Sequence, residues 1–285
     1  MPLWTIGRVI DWAAGHLKAK GLDQARLDSE LLLAKALGED RLYLYLNWPK
    51  PLEPAELEAF KALLKRRLAR EPVAYIVGRK AFYNLELEVG PAALIPRPET
   101  ETLVEAALAL LPQDSTAEVA DLGTGCGNIA FALAQERPGI RAIATDVSTE
   151  ALGQARRNAQ NLGLDGRVEF LSGDLFAPLS GRRLDMILMN PPYVSEAEYA
   201  TLAPEIVAFE PALALLAGPD GLAVINRLVA QAPEHLKPGG FLLFEIGSGQ
   251  GDEVRRLLGQ GPWIETDVLP DLAGRERVAK ARLLV

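Results

Sequence analysis

Asp121-Leu-Gly-Thr-Gly-Cys-Gly127 sets three glycines in seven residues. It follows an apolar run, Glu118 to Leu122, that reads as a strand, and it opens a helix-forming run, Asn128 to Glu136. Three alternating glycines let a backbone turn sharply and lie close against a ligand, because glycine carries no Cβ. Such a turn alone fits several nucleotide-bearing ligands, and two details separate them. The spacing Gly123-x-Gly125-x-Gly127 departs from the G-x-G-x-x-G dinucleotide fingerprint. Asp121 would repel a pyrophosphate but suits an ammonium or sulfonium. The missing Gly-Lys-Ser/Thr argues against a Walker-type phosphate loop. Asp146 closes the next strand, Arg141 to Asp146, where a carboxylate accepts from both hydroxyls of a ribose. It also stands where it could cap the helix that starts near Thr149. Together these features point to S-adenosylmethionine.

Outward from this loop, strands and helices alternate. Thr149 to Leu162 reads as a helix, Arg167 to Ser172 and Leu184 to Met189 as strands, and Gly221 to His235 as a helix. Gly240 to Ile246 follows as a strand and Gly251 to Leu258 as a helix. Ile264 to Val268 and Arg277 to Leu284 end the chain as an antiparallel pair. This alternation predicts an α/β fold, a mostly parallel, doubly wound sheet with helices on both faces. Before residue 72 the pattern is helical: Ile6 to Leu17, Asp28 to Leu37, and Ala55 to Arg70 behind Pro54. Val73 to Val77 and Ala81 to Val89 read as short strands, which predicts a β-hairpin linker over 73–95. The expected domains are therefore 1–72, helical; 73–95, linker; and 96–285, catalytic.

Composition narrows the chemistry. One cysteine, Cys126, and two histidines, His16 and His235, leave no disulfide framework and no His/Cys metal centre, so no metal is expected. No window approaches about 18 uninterrupted apolar residues, and Met1 to Lys20 lacks the apolar core of a signal peptide. A cytoplasmic protein without a membrane partner is expected. The net charge of -8 is unevenly divided. Residues 1–80 carry 14 Lys/Arg against 10 Asp/Glu, whereas the remainder carries 16 against 28. A mildly basic head thus precedes an acidic body, and the acidic body argues against a nucleic-acid substrate.

Two further segments bear on the site. Gly173-Asp174-Leu175-Phe176 follows the third strand, within reach of an adenine at the carboxyl end of the sheet. Asp174 could accept from its exocyclic amine while Leu175 and Phe176 cover the ring; the plain alternative is a solvated turn. Cys126 has no histidine near it in sequence and reads as a small side chain in a crowded turn, not a nucleophile. Asn190-Pro191-Pro192-Tyr193 follows the strand Leu184 to Met189. Consecutive prolines stiffen the turn and remove two N–H donors, leaving carbonyls without local partners. The Asn190 side-chain oxygen and the Pro191 carbonyl can then accept from one –NH2 group, with Tyr193 as a flat surface beside it. Two acceptors on the hydrogens of a planar amine favour a more tetrahedral nitrogen and free its lone pair for a methyl electrophile. Together with the glycine loop, this is the signature of an N-methyltransferase acting on planar –NH2 groups.

At this point the chain resembles the HemK/PrmC-type family of peptide-chain release factor glutamine N5-methyltransferases. The resemblance rests on Glu71-Pro-Val-Ala-Tyr-Ile-Val-Gly78, Phe82-Tyr83 and Leu94-Ile-Pro-Arg-Pro-Glu-Thr-Glu101. It continues through Asp121 to Gly127, Asp146, Asn158-Ala159, Gly173-Asp174 and Asn190 to Tyr193. Glu245-Ile-Gly247, Gln250-Gly251 and Asp271-Leu-Ala-Gly-Arg275 complete it. It implies a class I S-adenosylmethionine-dependent methyltransferase domain with a seven-stranded sheet and a small helical N-terminal domain for substrate recognition. The implied substrate is the glutamine of the Gly-Gly-Gln motif in class 1 release factors. The implied cofactor is S-adenosyl-L-methionine, with S-adenosyl-L-homocysteine as product. Donor contacts carried over by position are Gly123, Thr124, Gly125, Cys126, Gly127, Asp146, Leu175 and Asn190; substrate contacts are Asn190, Pro191, Pro192 and Tyr193. Arg97 and Glu99 are expected to shape the pocket mouth. Leu175 stands where the family often has an aromatic, and Lys280 where a glycine is common. A monomer is expected. The alternative is an N-methyltransferase acting on an exocyclic amine of RNA or DNA bases; the charged run Lys65, Arg66, Arg67, Arg70 keeps an RNA substrate open. A sensor that only binds the donor would have no use for the nitrogen-orienting loop.

Overall fold

A computed structural model describes residues 3–284, and Met1, Pro2 and Val285, ends of the expected domains, lie outside the described residues. The chain divides into two compact units, Met1–Arg79 with Ala203–Phe209, and Lys80–Leu202 with Glu210–Val285.

The first unit is helical. Helices span Ile6–Ala19, Ala25–Leu37, Arg41–Leu46, Pro54–Leu68 and Val73–Val77. Thr5 caps the first, accepting from the backbone of Arg8, and Gly38 ends the second in the left-handed conformation at φ 71°. Ile6, Ile10, Leu17, Leu32, Leu33, Leu44, Phe60 and Leu64 are buried together as its core. Each such aliphatic side chain is worth roughly 1.5–3 kcal/mol in water-to-core transfer. The basic run is largely spent on this packing. Arg67 is buried and donates to Asp28 at 2.7 Å, with Glu205 3.5 Å away. Arg66 makes a two-pronged pair with Glu71, and Arg70 donates to the carbonyls of Lys20 and Gly21. Three of the four cations that kept an RNA substrate open therefore hold the helices together.

The expected strand Val73–Val77 is a short helix. A five-residue apolar run has no readable period, and Pro72 pre-sets the first turn while Gly78, at φ 82°, stops it. The hairpin is instead β1, Arg79–Phe82, and β2, Leu85–Glu88, turning at Tyr83-Asn84 with Tyr83 at φ 51°. It is not a free-standing linker. Phe82, Leu85 and Leu87 are buried in the core of the second unit with Ile129, Phe131 and Ala155. The boundary accordingly falls at 79/80, and the short stretch Ala203–Phe209 goes with the helical unit, neither of which the sequence reading anticipated.

The second unit carries a seven-stranded sheet of β3 Glu118–Leu122, β4 Arg141–Asp146, β5 Val168–Ser172, β6 Leu184–Met189, β7 Leu236–Glu245, β8 Trp263–Pro270 and β9 Glu276–Leu283. The order is β5-β4-β3-β6-β7-β9-β8. Pairs from β5 through β7 are parallel, and β9 runs antiparallel to β7 and β8. The mostly parallel sheet with an antiparallel edge is as expected. β3 and β6 are nearly continuous buried runs, as strands covered on both faces require. One apolar layer holds Leu103, Phe131, Leu133 and Leu188; the other holds Ile187, Ile225, Leu228 and Phe244. Helix Glu101–Leu110, which the sequence reading passed over, closes the first layer with Leu103 and Val104. The strand order reverses between β3 and β6, so a crevice opens at their carboxyl ends, where the glycine loop and the Asn-Pro-Pro-Tyr turn both emerge. No helix among the described residues is long and apolar enough to cross a membrane.

Candidate active site

A cavity of about 310 Å³ lies in that crevice, within the size range of small-ligand sites. Its floor is Gly123, Thr124, Gly125 and Cys126; Asp146 flanks it, and Asp174, Leu175, Asn190 and Pro192 complete the walls.

The glycine loop is held from both sides. Gly123, Gly125 and Gly127 sit at φ 65°, 57° and 92°. A Cβ on Gly127 would run into the ring of Phe131, so this glycine serves the packing of helix Asn128–Glu136 and does not line the cavity. Asp146 accepts from the backbone N–H of Gly125 and of Ser148, each at 2.9 Å. Ser148, not Asp146, caps helix Thr149–Leu162 by accepting from Ala151. Each Asp146 oxygen thus keeps acceptor capacity toward the cavity. Asn158, which the sequence reading placed only by family order, donates to the carbonyls of Cys126 and Glu88 and accepts from the Glu88 N–H. It ties the glycine loop to the hairpin.

Asp121 does not line the cavity. It is fully buried beneath the loop, accepting from the Thr124 hydroxyl at 2.6 Å and the Ala130 N–H at 3.2 Å through Oδ2. Its Oδ1 is buried without a hydrogen-bond partner among the described residues. Burial pushes its pKa up to about 7, against the lowering pull of those two donors. A carboxyl bound more tightly by protons in the folded state stabilises the protein at low pH, and that contribution is lost between about pH 4 and pH 7. Asp121→Asn should remove this slope. Unfolding free energies at pH 5 and pH 8 should therefore differ less in the variant than in the native chain, by an amount on the order of 2–3 kcal/mol. Parallel pH profiles would refute the assignment.

Cys126 is buried and its thiol is pushed up to about 12 by that burial, so it offers no thiolate at neutral pH. Leu175 lines the cavity in a left-handed conformation, φ 47°, that costs a non-glycine residue strain. Phe176 does not share the covering role expected of it. It turns inward and stacks on His235, centroids 4.7 Å apart. Asp174 stands at the rim paired with Arg227 at 2.5 Å, so part of its acceptor capacity is already taken. At the mouth, Arg97 donates to buried Glu210, which also takes the Ile95 N–H at 3.1 Å; Glu99 does not line the cavity.

The Asn-Pro-Pro-Tyr turn is anchored from below. Asn190 Nδ2 donates to Thr100 Oγ1 at 3.1 Å, and that hydroxyl donates to Glu245 at 2.6 Å. The Tyr193 hydroxyl donates to the other oxygen of Glu245 at 3.0 Å. Tyr193 and Pro191 do not line the cavity itself. Burial and the Glu245 carboxylate raise the Tyr193 pKa, so its hydroxyl keeps its proton. A Cβ on Gly247 would come within 3.2 Å of the Tyr193 ring, and Gln250 donates to the Tyr193 carbonyl at 3.2 Å. Glu245-Ile-Gly247 with Gln250 is therefore the seat of Tyr193. Arg277, paired with Asp271 at 3.4 Å, donates to the Ile246 carbonyl and supports that seat from β9.

Glycine loop, strand-end acidic residue and an open doubly wound sheet define a class I methyltransferase. The solved structure of a methyltransferase from Pyrococcus furiosus shares the fold, with a TM-score of 0.54 at 16% identity over 79% of this chain and 98% of that one. Family models for the PrmC N-terminal domain and the methyltransferase small domain match residues 8–78 and 100–217. The release factor glutamine methyltransferase of Geobacter sulfurreducens is 42% identical over 99% of this chain and 98% of its own. That of Pseudomonas aeruginosa is 50% identical over 89% and 91%. The chain belongs to the release factor glutamine methyltransferase family.

Proposed function

We propose that this chain transfers a methyl group to the side-chain amide nitrogen of the glutamine in the Gly-Gly-Gln motif of class 1 peptide-chain release factors. The observation that carries this reading is the set of Asn190. Its Nδ2 is committed to Thr100, and no hydrogen bond among the described residues uses its Oδ1 or the Pro191 carbonyl. Two acceptors at the end of β6 suit the two hydrogens of one planar –NH2 group.

The residues around the cavity fit S-adenosyl-L-methionine by their donor set. Asp146 retains acceptor capacity for ribose hydroxyls, Gly123 to Gly125 allow close backbone approach, and Leu175 offers an apolar wall for an adenine. When bound, the donor would supply an electrophilic sulfonium methyl: the N–C bond would form as the methyl–sulfur bond breaks to leave a neutral thioether, and the nitrogen would lose one of its two protons. Asn190 and Pro191 hold the amide hydrogens and localise the lone pair; Tyr193 bounds the amide plane. Because the proton is acidic only once the N–C bond forms, no strong base is needed, which agrees with the absence of histidine among the cavity residues.

Labelled methyl should pass from S-adenosyl-L-methionine to a class 1 release factor and not to one in which the motif's glutamine is alanine. Equal labelling of both would overturn the glutamine assignment. Methylation of RNA or DNA in place of the release factor would favour the base-directed alternative.

A further inference from the structure

The buried carboxylate of Glu245 lies outside the cavity, yet the two polar side chains of the Asn-Pro-Pro-Tyr turn both lead to it. Resting on the function proposed above, we infer that Glu245 is a positioning residue that decides which end of the Asn190 amide faces the substrate.

The chain of hydrogen bonds has a fixed polarity. An ionised carboxylate only accepts. Thr100 has one hydroxyl proton, and Glu245 takes it at 2.6 Å. Thr100 can therefore only accept from Asn190, which must present Nδ2 and so keeps Oδ1 for the substrate amide. The second Glu245 oxygen takes the Tyr193 hydroxyl and holds that ring. Glu245 and Thr100 are each 1% exposed, so water does not compete for these bonds. An uncharged side chain of the same shape breaks the logic. The amide of a Glu245→Gln variant accepts from Tyr193 through its oxygen and donates to Thr100 through its nitrogen. The freed Thr100 proton then bonds to Asn190 Oδ1, the Asn190 amide turns over, and its –NH2 meets the –NH2 of the substrate.

The charge of Glu245 is itself balanced by named neighbours. Burial raises its pKa, and Glu99 adds to that; Thr100, Tyr193 and Arg277 favour the ionised form. Turnover should therefore fall toward acid pH, above the ordinary glutamate range, as Glu245 takes up a proton.

The test uses the full chain with a release factor as acceptor. Glu245→Gln should lower kcat at least about 30-fold, hold the donor dissociation constant and the melting point near native values, and flatten the acid limb of the kcat profile. Thr100→Val should lose turnover in the same way, and Thr100→Ser should retain it. A Glu245→Gln enzyme within threefold of native kcat, or one that loses donor binding and stability together with kcat, overturns the inference. A second readout needs no turnover. The Asn190 side-chain amide resonances, assigned through Asn190→Asp, should shift in Glu245→Gln, and unshifted signals also overturn it. Failure of the native chain to methylate the release factor would strike the functional reading, while the resonances would still decide the role of Glu245.

Discussion

Asn190→Ala is expected to reduce turnover by about 10³-fold or more while changing donor affinity only severalfold. Loss of one pre-positioned hydrogen-bonding group at a reacting centre costs about 10²–10³. Asn190 does more than supply one acceptor. It fixes the plane in which the substrate amide must lie, so loss of positioning adds to loss of the bond. Alanine also leaves the buried Thr100 hydroxyl without the donor it accepts from, but that oxygen still donates to Glu245, so the fold should survive. Asn190→Asp is the sharper control. It keeps an acceptor toward the substrate but sets a second carboxylate against the one Thr100 proton that Glu245 holds. Its activity should stay near that of Asn190→Ala. Single-turnover methyl transfer at saturating donor, with calorimetric donor binding, separates the two effects. Near-native turnover in Asn190→Ala would rule out the nitrogen-orienting role.

The parts of this protein that could be read from sequence are those whose residue types are dictated locally. Three glycines at positive φ, a carboxylate at the end of β4 and two prolines after β6 each leave a direct mark in the chain. What could not be read depends on long-range partners. Thr100 and Glu245 stand in segments that carry the family resemblance, but neither they nor Glu210 shows a role until the fold brings Thr100 to Asn190, Glu210 to Arg97 and Glu245 to Tyr193. The same is true of Asn158, which joins the glycine loop and strand β2, 32 and 70 residues away. Asp121 shows the opposite failure. Its place before the glycines suggested contact with a cation, yet the loop turns so that the carboxylate faces inward and holds Thr124. The five-residue run at Val73 and the hairpin after it went wrong for a simpler reason, since short apolar segments fit helix and strand alike until their packing is known.

Asp146→Ala should weaken donor binding by about 10²–10³-fold, and Asp146→Asn should be nearly as damaging. The first expectation follows from charge-assisted hydrogen bonds, each worth roughly 1.5–3 kcal/mol when the acceptor is ionised. The second follows from what surrounds the carboxylate. If Asp146 did nothing but accept from ribose hydroxyls, an asparagine would keep one acceptor and about half the affinity term, since a hydroxyl can also accept from its –NH2. Both oxygens, however, already take backbone N–H donors, Gly125 on one side and Ser148 on the other. An asparagine satisfies one of them and points its own N–H groups at the other. Facing Gly125, the clash loosens the loop that forms the cavity floor; facing Ser148, it disturbs the cap of helix Thr149–Leu162. Titration calorimetry of S-adenosyl-L-methionine against the two variants decides the matter. An Asp146→Asn enzyme that binds the donor within about fivefold of native would show that the carboxylate does not organise the loop, and an unchanged constant in Asp146→Ala would remove its role in donor binding altogether.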